Sequence, residues 1–97
     1  MRRVVITGMG TVNPIGNSVE ELKESLRSGT SGVAKITQFD TEGFKATLAC
    51  EVKFEGLDEL IGKKEARRMD RFTKLAVAAC EEAVKDANLM VPMIHLM

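Results

Sequence analysis

The sequence predicts an α/β fold, and three observations carry that reading. Val4-Val5-Ile6 is a β-branched run close to the amino terminus, Ser18 stands three residues before Glu21 at the head of a short apolar period, and helical spacing runs from about Lys64 to Ala87. A strand, a helix, an alternating strand and a long helix succeed one another in that order, the pattern of an α/β unit.

Val4-Val5-Ile6 is apolar at consecutive positions, as expected of a strand buried on both faces of a largely parallel sheet. Gly8, Gly10 and Gly16, with Pro14 after Asn13, then form a loop with turn-forming residues. Ser18 and Glu21 have the spacing in which each side chain satisfies an amide left free at a helix start. Leu22 and Leu26 give that helix a core face, and Gly29 stops it. Residues 30 to 45 have no sustained period and read as irregular, anchored by Val33, Ile36, Phe39 and Phe44. From Ala46 to Lys53, Ala46, Leu48, Cys50 and Val52 alternate with polar neighbours, which predicts a strand with Cys50 on its inward side. Asp58 to Gly62 reads as a helical turn. In the long helix, Phe72, Leu75, Ala76, Ala79, Cys80, Ala83, Val84 and Ala87 form the buried face. Asn88 suits a left-handed ending, and Pro92 opposes continuation.

The 97 residues are 44% apolar and 29% charged, the composition of a single globular unit. Fourteen basic residues balance fourteen acidic ones, so overall charge argues for neither a nucleic-acid nor a membrane-surface partner. The amino terminus has no signal-peptide core, and no window approaches the roughly 20 apolar residues of a membrane span. Cys50 and Cys80 lack metal or redox spacing and read as buried, reduced packing thiols, which fits a cytoplasmic setting. Neither has a neighbouring base to make it a nucleophile, and the single imidazole, His95, lies in an apolar, patternless tail. Gly8-x-Gly10 after a strand suggests a dinucleotide fingerprint, but Asn13 stands where the third glycine belongs. No cofactor or metal is expected.

Between Lys63 and Lys74 there are six cations, Lys63, Lys64, Arg67, Arg68, Arg71 and Lys74, against Glu65 and Asp70. On a continuous helix Lys64, Arg67, Arg68 and Arg71 would share one face. Such a run is a solvated surface or a docking patch for an acidic partner. The lack of Tyr and Trp and the acidic residues within it speak against nucleic acid.

Arg3-Val4-Val5-Ile6-Thr7-Gly8-Met9-Gly10, Asn13-Pro14-Ile15-Gly16-Asn17, Ser31-Gly32-Val33, Phe39-Asp40 and the stretch from Lys63 to Phe72 stand in the order and spacing of the elongating β-ketoacyl-acyl-carrier-protein synthases. The chain resembles the type II enzymes of bacterial fatty-acid synthesis. The resemblance implies a partial thiolase-like fold, the start of the first of two αβ halves, in a family that usually forms homodimers. It implies an amino-terminal segment at residues 1–89 and a tail at 90–97 outside the family pattern, as a truncated or shifted reading frame would give. The implied reaction is a decarboxylative condensation on a cysteine with two histidines as oxyanion donors. Neither Cys50, Cys80 nor His95 matches those motifs, so no residue here is expected to be catalytic. The resemblance also implies acyl-carrier-protein docking by Lys64, Arg67 and Arg68. The alternative is a non-catalytic module that uses Lys64, Arg67 and Arg68 to hold an acidic carrier or to pair with another synthase chain, and self-association is expected because Val4 to Ile6 asks for covering layers that this chain is short of.

Overall fold

A computed structural model describes residues 2–89. The elements are α1 (Val19–Ser28), β1 (Val33–Lys35), β2 (Leu48–Cys50), α2 (Leu57–Ile61), α3 (Lys63–Ala66) and α4 (Arg71–Asp86). The tail from Met93 to Met97, with His95, and the stop expected at Pro92 lie outside the described residues.

The strand expected at Val4-Val5-Ile6 is not formed. These side chains are 95%, 74% and 83% exposed on a segment without sheet pairing. A strand apolar on both faces needs strand partners and a covering layer on each face, and neither β1 nor β2, which pair with each other, pairs with this segment. The glycine segment next in the chain is held instead by α4. Met9 N donates to Asp86 Oδ2 at 3.0 Å and Thr11 N to Glu82 Oε1 at 2.9 Å. The backbone there lies so close to the helix that a Cβ at Gly8 would sit 2.3 Å from the Ala83 carbonyl oxygen. At Gly10 it would sit 1.9 Å from that of Ala79. Glycines on one side and Ala79, Ala83 and Ala87 on the other therefore answer the same demand for close backbone approach.

The next helix forms as its caps dictate. Glu21 N donates to Ser18 Oγ at 3.1 Å, while Glu21 Oε1 accepts from Asn17 N at 3.0 Å, one residue ahead of the cap. Gly29 closes it in the left-handed conformation at φ 71°. Its expected core face is only half covered: Leu22 is half-buried and Leu26 is 66% exposed.

β1 and β2 pair antiparallel with Val33 opposite Cys50 and Lys35 opposite Leu48. β1 falls in the stretch read as irregular, because three residues are too short to display a period. Between the strands Phe39 and Phe44 meet edge to face with centroids 5.9 Å apart. Glu51 draws in the start of that loop, accepting from Thr37 Oγ1 at 2.8 Å and from the Thr37 and Gln38 amides. The expectation of buried cysteines is corrected here. Cys50 and Cys80 are both free thiols and both exposed, since among the described residues no layer covers the sheet face of the first or the outer helix face of the second.

The buried core is Leu57, Ile61, Ala66, Val77 and Ala78, with Val12, Phe54, Met69 and Leu75 packed at its margin. The expected turn at 58–62 is α2. The single long helix is two helices: Arg68 N and Met69 N donate to carbonyls three residues back, and Asp70 is extended at φ −71° and ψ 160°. Asp70 O then accepts from Lys74 N at 3.1 Å, which makes Asp70 the N-cap of α4. Asp is favoured at that position, although here its side chain makes no capping hydrogen bond. The buried face also differs, since Val77 and Ala78 face the core while Phe72, Ala76 and Cys80 point outward. Asn88 ends the chain of turns at φ 62°, as its side chain allows.

Candidate functional site: a basic turn between two helices

α3 is a single turn, too short to persist by its own propensity. Its place is fixed by Ala66, which is 1% exposed and belongs to the core formed with α2 and α4. Gly62 breaks the chain just before it at φ 109°, and Gly62 O accepts from Ala66 N at 2.9 Å. With Ala66 turned inward, Lys63, Lys64, Arg67 and Arg68 are all exposed.

The structure divides the six cations. Lys74 Nζ lies 2.9 Å from Asp58 Oδ1, in the ion pair that joins α4 to α2. Arg71 Nη2 donates to the Val52 carbonyl at 3.0 Å, just beyond β2. Among the described residues, no ion pair or hydrogen bond holds the side chains of Lys63, Lys64, Arg67 or Arg68. The three residues singled out from the sequence, Lys64, Arg67 and Arg68, are thus brought together, but by one turn and its closing residues. Arg71 does not belong to their face, because the break at Asp70 places it on α4 and its guanidinium is engaged elsewhere.

Neither cysteine lines the shallow grooves formed beside Asn13, Phe54 and Asp58. Among the described residues no group of three His, Cys, Asp or Glu could hold a metal, and no helix is long and apolar enough to cross a membrane. The glycine segment is no phosphate cradle either. The amides of Met9 and Thr11, which a phosphate would need, already face the carboxylates of Asp86 and Glu82.

Two acidic side chains on α4 have a structural role that the sequence did not reveal. Glu82 accepts from Thr11 N through Oε1 and from Val19 N through Oε2 at 2.8 Å, so one carboxylate ties the glycine segment to the first turn of α1. Their spacing of four, Glu82 and Asp86, was a signal in hand, hidden because surface acids on a helix are common.

Among the described residues the chain is a small unit of helices and short strands in which four exposed cations stand together without an ion pair. The chain belongs to the beta-ketoacyl synthase family: the family description "Beta-ketoacyl synthase, N-terminal domain" matches residues 1–95. It is 53% identical over 88 residues to the 3-oxoacyl-[acyl-carrier-protein] synthase 2 of Staphylococcus aureus (strain COL), covering 91% of this chain and 21% of that one. The Synechocystis sp. protein of the same name is 39% identical over 90 residues, covering 93% of this chain and 22% of that one. Among solved structures, the ishigamide ketosynthase/chain length factor superposes with a TM-score of 0.82 at 46% identity, over 92% of this chain and 22% of that chain. The thiolase-like assignment therefore stands for this segment as an arrangement of helices and short strands. The chain spans about a fifth of the length of the curated relatives it matches.

Proposed function

We propose that the chain is the carrier-docking part of a cytoplasmic 3-oxoacyl-acyl-carrier-protein synthase of fatty-acid elongation, with Lys64, Arg67 and Arg68 as the docking cations. The observation that carries this reading is the set of four exposed cations on and after α3 that no acidic side chain neutralises among the described residues. Free arginines fork onto carboxylates or a phosphate and speed encounter with an acidic partner. In the condensation itself, a malonyl thioester loses carbon dioxide, its carbanion attacks an acyl group held on a cysteine, and the thiolate leaves. Cys50 and Cys80 are free, exposed thiols outside the family's nucleophile motif, so these 97 residues alone are expected to have no condensing activity, and no cofactor is invoked.

A second reading is favoured by the exposed Val4, Val5, Ile6, Val33, Leu48 and Phe72: a module that pairs with a synthase chain or with itself. Titrating isotope-labelled chain with holo acyl-carrier protein tests the first reading. The expected result is amide shifts centred on Lys63 to Arg71 that vanish near 1 M salt, where the screening length is about 3 Å. Arg67→Glu with Arg68→Glu is expected to weaken binding at least roughly tenfold at low salt. Unchanged affinity in that double variant overturns the docking assignment.

A further inference from the structure

We propose that Asp58 and Lys74 are positioning residues for the basic turn: their ion pair sets where Lys64, Arg67 and Arg68 stand, and Lys74 does not itself meet the partner. This inference rests on the docking reading above.

The geometry supports it in three ways. First, the pair closes the chain around the turn, since Asp58 lies on α2, Lys74 on α4, and everything between them is α2's end, Gly62, α3 and the break at Asp70. A one-turn helix on such an excursion takes its orientation from the closure at its ends and from Ala66 in the core. Second, Lys74 is the better-buried partner, its side chain 21% exposed against 52% for Asp58, so its ammonium is turned toward α2. Third, Arg71 repeats the device one helical turn earlier by donating to Val52 O, so both α4 cations of the cluster are engaged with the preceding chain. The cluster that looks like six equivalent charges thus consists of a free set that recognises and a pair, Arg71 and Lys74, engaged with the preceding chain.

The sign of one substitution separates this from the alternative, in which Lys74 is a sixth docking cation masked by Asp58. Asp58→Asn keeps the size of the side chain and raises the net charge beside the patch by one. Long-range attraction to an acidic carrier and release of Lys74 would then both strengthen binding. The positioning role requires the opposite: Asp58→Asn and Lys74→Gln each weaken carrier binding roughly two- to fivefold, as the loss of a partly screened ion pair implies. The double variant is expected to be no weaker than either single one, because both remove the same contact.

The experiment is the carrier titration repeated on the two single variants and the double variant of the full chain, together with amide spectra of each variant without carrier. The positioning role also predicts that Lys74→Gln moves the Lys63 to Arg68 amides in the absence of any partner, while Arg67→Glu leaves the Asp58 amide in place. Tighter binding by Asp58→Asn, or Lys63 to Arg68 amides unmoved in both single variants, overturns the proposal. If the parent chain binds no carrier, the docking reading fails, and the spectra without carrier still decide whether the pair orients the turn.

Discussion

Replacing Glu82 by alanine should release two parts of the fold at once. Its carboxylate accepts one hydrogen bond from Thr11 N at 2.9 Å and one from Val19 N at 2.8 Å, both partly buried, and Val19 is the first residue of α1. A hydrogen bond to a charged group is worth about 1.5–3 kcal/mol, and the first-turn amide adds a favourable dipole contact of a few tenths. Alanine has at least the helix propensity of glutamate, so α4 itself should not weaken. Loss of about 1.5–3 kcal/mol at each amide corresponds to a roughly 10- to 150-fold fall in local hydrogen-exchange protection. Exchange at Thr11 and Val19, read by NMR at constant pH, is the assay because it needs no cooperative global transition. Glu82→Gln sharpens it: the amide side chain keeps one acceptor oxygen, so one of the two backbone amides should stay protected. Val19 protection within about twofold of the parent in Glu82→Ala would refute the reasoning.

Two further outcomes are expected. Gly10→Ala places a methyl group 1.9 Å from the Ala79 carbonyl oxygen, against backbone that cannot turn aside. The segment should lift from α4 or the chain lose roughly 1–3 kcal/mol, seen as lost Met9 and Thr11 protection, and an unchanged exchange pattern would count against the close approach. The Glu51 carboxyl is held below the ordinary carboxylate range, chiefly by the Thr37 hydroxyl bond and then by the Thr37 and Gln38 amides. A depressed folded value means that its contribution is complete above the unfolded value, about 4.3, and is lost as pH falls through the lower folded one. The Thr37 and Gln38 amides should therefore shift together with the Glu51 carboxyl carbon in an acid titration; shifts at a higher pH than an unperturbed glutamate would contradict the clasp.

Local signals in the sequence translated well. Ser18, Glu21 and Gly29 bound α1 because capping depends on side chains that stand next to the backbone they satisfy. Asn88 took the left-handed ending for the same reason. The expectations that failed were those that depend on distant partners. Val4 to Ile6 has the composition of a buried strand, but its pairing and covering partners must come from elsewhere, and among the described residues no strand pairs with it and its side chains stay exposed. Burial of Cys50 and Cys80 failed likewise, since alternation tells which residues share a face and not whether anything lies over it. At the basic turn, the run of cations that includes Lys64, Arg67 and Arg68 could be read from the sequence, while its geometry could not. Their spacing imitates a helix face, and that masked Asp70 as the cap of a new helix.

The two halves of the molecule differ in how their order is secured, and this bears on which function the chain can keep. The core under the basic turn is drawn from Phe54 to Ala78, with Val12 contributing from further away. Contacts so near in sequence form with little loop-closure cost. The amino-terminal segment is tied across 63 to 77 residues by the carboxylates of Glu82 and Asp86 acting on three amides. These few partly exposed bonds are the weaker attachment, and the apolar side chains beside them gain nothing from staying. If another chain takes up Val4 to Ile6 as a strand, Glu82 and Asp86 can let the segment go while Leu57, Ile61, Ala66 and Val77 keep the turn in place. The proposed docking through Lys64, Arg67 and Arg68 and the proposed pairing through Val4 to Ile6 are therefore compatible in one chain, because the core beneath the basic turn does not depend on Val4 to Ile6.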